Sequence, residues 1–588
     1  MTNSISIIVR VLRRNLWLVS AGLAAIFSLE LLALYAPQLI KQGVDLLASG
    51  RCDSGQLLRL ALDMALLALG VAVLRAMGRP FMLAFGRLVE RELRQELFNH
   101  VIRLPRQAID HRPAGELMAR ATYDIDNIRL AVGYGFQAGF NSILTLVMAL
   151  AYMIWMSPLL TLVSAIPLVC IPWLTTLQSR KFHACHNSIQ RSFARLTEEC
   201  RDSFNAIRLI RVYNLAGIKE SLFSAASSEH MQNNMELTRV TALYLPVMVL
   251  VMHLSQALVW GGGGAMAVMG AGVTAGDIVA FTAYLVLLKT PLSYSGYLIN
   301  LYQRAKSSSQ RVDEVLQQPL EEAGQGNIPV SPEVLPGDIV IRNLTFTYPG
   351  ESRPALRDVS MTIKRGETVA LTGPVGSGKS TLLKLLVRLY EPPAGTIFLD
   401  GRDVTEMPLH QLRAMTETAA QDPFVFSGSI AENLRLACPD AGDEQLWQAL
   451  ETAGLADEVA AMKSGLETVL GEKGQNLSGG QKGRLSLART LLRRRPYLLL
   501  DDPLAAVDTT AEAQILDRLD RVRGGLTNIC VSHRPLSLSF CGNIALFDEE
   551  GRLVAQGSHG ELAAVSPLYR ELMLTEQRQA GTDGEHGR

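Results

Sequence analysis

The chain has 588 residues, of which 48% are apolar and only 19% charged, with a mean hydropathy of +0.17; that balance is unusual for a water-soluble protein of this length and points to a membrane. The formal net charge is zero, so no global basic field marks a nucleic-acid partner and no acidic tail marks a disordered binding segment. Seven cysteines are scattered without a C-x-x-C pair, which indicates neither a zinc site nor a disulfide framework.

Arg10, Arg13 and Arg14 precede an apolar stretch from Leu16 to about Ile40. It is too long for the core of a cleaved signal peptide and lacks a small-residue cleavage site before Pro37, so it reads as a first transmembrane helix. Six segments reach the roughly 20 residues a bilayer requires: approximately Leu16–Pro37, Leu57–Met77, Ala131–Met156, Pro158–Leu177, Leu243–Met269 and Ile278–Leu301. The third and fourth meet at Ser157-Pro158 as a hairpin. The long polar stretch after the second span carries Arg87, Arg91, Arg94, Arg103, Arg106, Arg112, Arg120 and Arg129, whereas the short loops opposite hold only Lys41, Arg51 and Arg59. By the positive-inside rule the long stretches and both termini are cytoplasmic. Leu88, Leu93, Leu97, Val101 and Leu104 recur at helical spacing, so the spans are expected to continue into the cytoplasm as helices. Glu30, Asp63, Arg75, His253 and Lys289 fall inside or near the spans. Charge at membrane depth is costly and faces a cavity or a partner, and Glu30 and Lys289 are the candidates for a pathway.

Residues 316–337, with Pro319, Pro329, Pro332 and Pro336, read as a linker. Beyond it, short β-branched runs alternate with helical segments as in a soluble α/β domain. Gly373-Pro374-Val-Gly376-Ser377-Gly378-Lys379-Ser380-Thr381 fits G-x-x-x-x-G-K-[ST] at every fixed position. Its glycines let backbone N–H groups curl around phosphates, Lys379 supplies a point charge, and Ser380 offers a hydroxyl to Mg²⁺. Thr368–Thr372 reads as the preceding strand and Leu382–Tyr390 as the following helix. Tyr497-Leu-Leu-Leu-Asp501-Asp502 is an apolar strand ending in acids, where a P-loop ATPase keeps its Mg²⁺-linked carboxylate.

Asn476-Leu-Ser478-Gly479-Gly480-Gln481 lies between these two elements and His533 follows them. In this order and spacing, the C-terminal half resembles the nucleotide-binding domain of the ATP-binding cassette (ABC) superfamily over its whole length. The resemblance implies that Tyr348 stacks on adenine and that Gln421 is the Q-loop glutamine near Mg²⁺. It also implies that Ser478, Gly479, Gly480 and Gln481 form the signature facing the opposite subunit's ATP, that Asp508 is the D-loop aspartate and that His533 senses the γ-phosphate. ATP and Mg²⁺ are the implied ligands, with Mg²⁺ held by Ser380, Gln421 and, through water, Asp501.

The residue after Asp501 is Asp502, where family members that hydrolyse ATP efficiently have Glu. The shorter side chain gives up roughly 1.5 Å of reach, and a general base must sit within hydrogen-bond distance of its target. With an intact Leu477-Ser-Gly-Gly-Gln481, the chain resembles the degenerate-site subunit of a heterodimeric bacterial multidrug or lipid exporter. The expected architecture is an all-α six-span membrane domain (1–315), the linker (316–337), an α/β P-loop nucleotide-binding domain (338–577) and a flexible tail (578–588). Asp110–Asp126 and Glu198–Asn214 resemble the family's two intracellular coupling loops. The resemblance implies a non-identical half-transporter partner with the Walker B glutamate, an inner-membrane location and a small hydrophobic or amphipathic substrate. An importer on the same scaffold and a homodimeric exporter are the alternatives.

Overall fold

The computed structural model describes residues 3–50, 53–110, 112–270, 272–321, 337–505, 507–522 and 524–575. Most of the expected linker and the whole expected tail lie outside the described residues. The chain divides into two compact units, Met1–Ile102 with Pro113–Gln318, and Arg103–Arg112 with Pro319–Arg588.

The first unit is helical: α1 (Ser4–Arg14), α2 (Leu16–Ala48) and α3 (Ser54–Val101) are followed, after α4 (Arg106–Asp110) of the second unit, by α5 (Ala114–Met156), α6 (Pro158–Asn205), α7 (Ile207–Val212), α8 (Ala216–Val268) and α9 (Ala275–Leu316). At 1.5 Å per residue a 48-residue helix such as α3 runs roughly 72 Å, more than twice the apolar thickness of a bilayer. The expected continuation beyond the spans therefore takes the form of unbroken helices. Among the described residues, α2, α3, α5 and α9 are long and apolar enough to cross a membrane. The fourth and fifth expected spans lie on α6 and α8. Side chains 169–180, 243–245 and 248 are outside the described set there, and the apolar segment found on α6 is Pro158–Leu168.

The arginines ahead of the first span do not continue it. They end a separate helix, α1, which breaks at Asn15 and is capped by Asn3. Its Ser4 N–H donates to Asp313 of α9 at 2.6 Å. At the expected hairpin, Ser157 leaves helical geometry (φ −157°) and its hydroxyl accepts from Leu160 N, which ends α5 and starts α6 at Pro158. Of Gly261–Gly264 only Gly263 is closely packed, with Ile278 against the place a Cβ would occupy. Two π-helical turns interrupt α5, at Arg120–Asp124 and Ala131–Gly135. The first buries both Arg120 and Asp124, whose side chains meet α9: Arg120 Nη1 donates to Arg311 O at 3.0 Å, and Arg311 Nε donates to Asp124 Oδ2 at 3.0 Å. Core packing centres on α9, where Phe281, Tyr284, Leu285 and Leu288 meet Leu34, Met153 and Val259. None of the most apolar window of α3 is buried, which suits a helix facing lipid rather than water.

Beside a two-stranded ribbon of β7 (Gly428–Ser429) and β8 (Val469–Leu470), the second unit holds two main sheets. One is antiparallel, order β2 (Leu356–Ile363), β1 (Ile339–Phe346), β4 (Ile397–Leu399), β5 (Arg402–Asp403). The other, order β12-β11-β3-β10-β9-β6, is parallel from β11 (Asn543–Phe547) through β3 (Thr368–Thr372), β10 (Thr527–Val531) and β9 (Tyr497–Asp501) to β6 (Thr416–Ala419), with β12 (Leu553–Gly557) antiparallel at its edge. Every residue of β9 is buried, so the run Tyr-Leu-Leu-Leu-Asp shows no alternation, as a strand covered on both faces requires. One apolar cluster lies behind the phosphate loop (Leu371, Leu382, Leu385, Phe547), and a second supports the signature segment (Leu446, Leu450, Leu485, Leu487, Ile515).

Candidate nucleotide site

Strand register builds the site. Leu371 of β3 pairs with Val531 of β10, and Val531 with Asp501 of β9, while Ala419 of β6 pairs with Leu500. Within about two residues beyond this common level come Gly373, His533, Asp502 and Gln421, so four neighbouring parallel strands deliver the candidate residues to one edge. Open parallel sheets bind ligands at the carboxyl ends of their strands for this reason.

The phosphate loop leaves β3 and enters α10 (Lys379–Leu386). Gly373 (φ +143°) and Gly378 (φ +84°) sit where L side chains are strained, and a Cβ on either would strike backbone, Phe547 O or Ala355 O. Lys379, 5% exposed, curls back so that Nζ donates to Gly373 O (2.9 Å), Pro374 O (2.7 Å) and Ser377 Oγ (2.9 Å). Burial pushes its ammonium down to about 8, against the pull of Asp501 and Asp502. A cation so poorly compensated favours an anionic ligand. α10 stops at Leu386, four residues before the expected end. Arg388 adopts φ +47°, and its N–H and that of Leu389 close on Leu385 O and Lys384 O, a Schellman end with Arg in glycine's usual place.

Ser380 Oγ donates to Asp501 Oδ1 at 2.9 Å, which joins the loop to the end of β9. Burial raises the Asp501 carboxyl above its ordinary range in spite of Ser380, Lys384 and Lys379 nearby. A hydroxyl and a buried carboxylate side by side, with the Gln421 loop on the adjoining strand, form a hard-oxygen set that fits Mg²⁺. Asp502 is half-buried at φ +49°, its N–H donating to Val531 O. Burial, helped by the charge on Lys379, holds His533 down at about 4, so a neutral imidazole stands at this edge at pH 7. Gln421 is exposed.

Tyr348 is half-buried, edge-on to Phe346 and Tyr390 with centroids 5.2 and 4.9 Å away, and its hydroxyl is 3.0 Å from Thr381 Oγ1. Ser478 caps α11 (Gly479–Leu492) reciprocally: its hydroxyl accepts from Gln481 N, and Gln481 Oε1 accepts from Ser478 N. Gln481 Nε2 also donates to Glu458. Ser478 and Gly479 are exposed on the second apolar cluster rather than on the phosphate-loop cluster. Asp508 is exposed too, and its Oδ1 accepts from Thr510 N and Ala511 N at the start of α12 (Thr509–Val522). The structure thus gathers Gly373–Thr381, Asp501, Asp502 and His533, and leaves the signature facing outward.

Two residues were not singled out by motif. Asp422 bears on the Asp501 carboxyl, and its only sequence signal is adjacency to Gln421. Tyr390 donates a short hydrogen bond to Asp110 of α4 while packing on Tyr348. The first expected coupling loop begins at Asp110, whereas the short helix present is Arg106–Asp110, just before it.

Residues 19–292 match the family model of the ABC transporter transmembrane region, and residues 356–505 that of the ABC transporter. The chain is 31% identical to the probable multidrug resistance ABC transporter ATP-binding/permease protein YheI of Bacillus subtilis, with 96% of both chains covered. It is equally 31% identical to the multidrug resistance-like ATP-binding protein MdlA of Escherichia coli (96% and 95% covered), and to an ATP-dependent lipid A-core flippase of Pseudomonas aeruginosa (84% and 81%). The solved structure of a bacterial Atm1-family ABC exporter with ATP bound superimposes with a TM-score of 0.76 at 24% identity, covering 95% of this chain and 98% of that one.

Proposed function

Because this chain belongs to the ABC transporters, with their transmembrane region and ATP-binding domain on one polypeptide, we propose that it is the degenerate-site subunit of a heterodimeric exporter of hydrophobic or amphipathic compounds. As a member of that family it hydrolyses ATP coupled to transport across a membrane. The observation that carries the finer reading is Asp502, a short carboxylate after Asp501, beside an intact signature at Ser478–Gln481. The outward-facing N-terminus of α11 suits completion of a second subunit's site. So do Phe204, Ile207, Leu209, Val212 and Tyr213, exposed apolar side chains on the second coupling loop that a partner would cover. The names of the multidrug and lipid A-core relatives support the substrate class. The excess of arginine after the second span supports an inner-membrane orientation with both termini inside.

In this reading Tyr348 stacks on the base, and the Gly373–Thr381 N–H groups and Lys379 hold the phosphates. Lys379 exchanges its bonds to Gly373 O, Pro374 O and Ser377 for phosphate oxygens. Ser380, Gln421 and, through water, Asp501 would hold Mg²⁺, which would neutralise charge on the phosphate oxygens. His533 presents a neutral ring to the γ-phosphate, and Asp508 borders the subunit interface. Asp502 orients water poorly, so this site retains ATP while the partner's site, completed by Ser478, Gly479 and Gly480, turns it over. The test compares two variants of the transporter purified through a tag on this chain. Ser478→Arg should lower ATP turnover by more than about tenfold, while Lys379→Ala should leave most of it. Equal losses from both would overturn the assignment.

A further inference from the structure

The first unit contains a cavity of about 290 Å³ between α2, α3, α5 and α9, lined by Leu29, Glu30, Arg75, Gln137, Asn141 and Tyr294 among others. Glu30 lies midway along the apolar face of α2 and is 8% exposed. Its Oε2 accepts from Thr145 Oγ1 at 2.7 Å, and the Asn141 amide also bears on the carboxylate. Thr145 and Asn141 are one turn apart on α5, as is Gln137. The carboxylate is therefore fixed by neutral donors. Arg75 of α3 lines the same cavity and its positive charge bears on Glu30 from there, but the side chain is exposed, on a long flexible stem, and no ion pair joins it to Glu30 among the described residues. Lys289, the other expected pathway residue, is exposed and does not line the cavity.

A buried carboxylate with only neutral hydrogen-bond partners gains most from a cation brought against it. An ammonium group can displace the solvated Arg75 side chain at little cost, whereas an anion would have to sit beside Glu30. We propose that this cavity is a binding site for amphipathic amines, with Glu30 as the residue that reads their positive charge and Thr145 as the one that positions it. The inference rests on the reading of the chain as an exporter of hydrophobic or amphipathic compounds, and it concerns this chain's own helices rather than its nucleotide site.

Three fluorescent probes with one body separate the possibilities: dansyl-diaminohexane (ammonium), dansyl-aminohexanol (neutral) and dansyl-aminohexanoate (anion). Binding is read without ATP on the full chain in lipid nanodiscs. The ammonium probe should bind at least tenfold tighter than the alcohol. Glu30→Gln should erase that preference and leave alcohol binding unchanged, Thr145→Val should weaken it severalfold, and Arg75→Gln should preserve or strengthen it. Equal affinity for ammonium and alcohol, or a preference that survives Glu30→Gln or vanishes with Arg75→Gln, would overturn the inference and leave the exporter reading standing. Failure to bind any of the three would count against both.

Discussion

Asp502 combines a short carboxylate with a left-handed backbone, φ +49°, a region that Asp enters more readily than Glu. Replacing it with Glu should therefore restore reach at a small cost in stability, about 1 kcal/mol. If the proposed partner carries a Walker B glutamate and that residue is changed to Gln, Asp502→Glu should raise residual ATP turnover about tenfold, equivalent to ~1.4 kcal/mol in barrier. Unchanged turnover would show that another feature limits this site. A second residue makes a pH prediction. Glu417 of β6 is largely enclosed, 3.7 Å from Arg493, and burial pushes it up to about 7 while Arg489 is held down by the same burial. Between the ordinary value of 4.5 and about 7 the folded chain keeps a proton that the unfolded chain has released, so stability falls as pH rises through that window. The loss is at most about 3 kcal/mol. Glu417→Gln should flatten the decline and raise the thermal midpoint at pH 8, read by unfolding of the detergent-solubilised chain. A parallel decline in the variant would contradict it.

At the scale of elements, α4 is tied to the nucleotide edge by aromatic contact. Thr381 meets Tyr348, Tyr348 packs edge-on to Tyr390, and Tyr390 donates to Asp110; burial first, and the Asp110 carboxylate second, lift its phenol to about 12. If α4 carries the signal between ATP and the spans, Tyr390→Phe should keep ATP affinity and fold while lowering substrate-stimulated ATP turnover severalfold. Full stimulation in that variant would assign the contact a purely structural role. Thr381, Tyr348 and Asp110 were each singled out in the sequence, but the link from Tyr348 through Tyr390 to Asp110 was not legible there. Asp110 and Tyr390 stand 280 residues apart, and no local pattern marks a pair that only the fold brings together. The phosphate loop was legible, because Gly373 and Gly378 must take backbone angles that other residues resist, and the chemistry of phosphate fixes Lys379 and Ser380 at set distances along the chain. The end of α10 was misjudged because Leu389 and Tyr390 continue an apolar pattern, while the stop is set by the backbone of Arg388.

For the whole molecule, composition and hydropathy correctly indicated a helical membrane domain fused to an α/β nucleotide domain, as the two family matches and the superposition bear out. The extension of α3 beyond its span followed from the periodicity of Leu88, Leu93, Leu97 and Val101, although the helix ends at Val101 and leaves the expected Leu104 outside it, whereas the π-turn at Arg120–Asp124 and the Glu30–Thr145 contact depend on neighbours that periodicity does not encode. What completes the catalytic site can be read from ATP turnover of this chain purified alone in lipid nanodiscs, alongside ATP binding to the same sample. ATP binding is expected with turnover near background, since two copies would pair good signatures only with Asp502. Brisk turnover by a pair of identical chains, abolished by Asp502→Asn, would contradict that expectation.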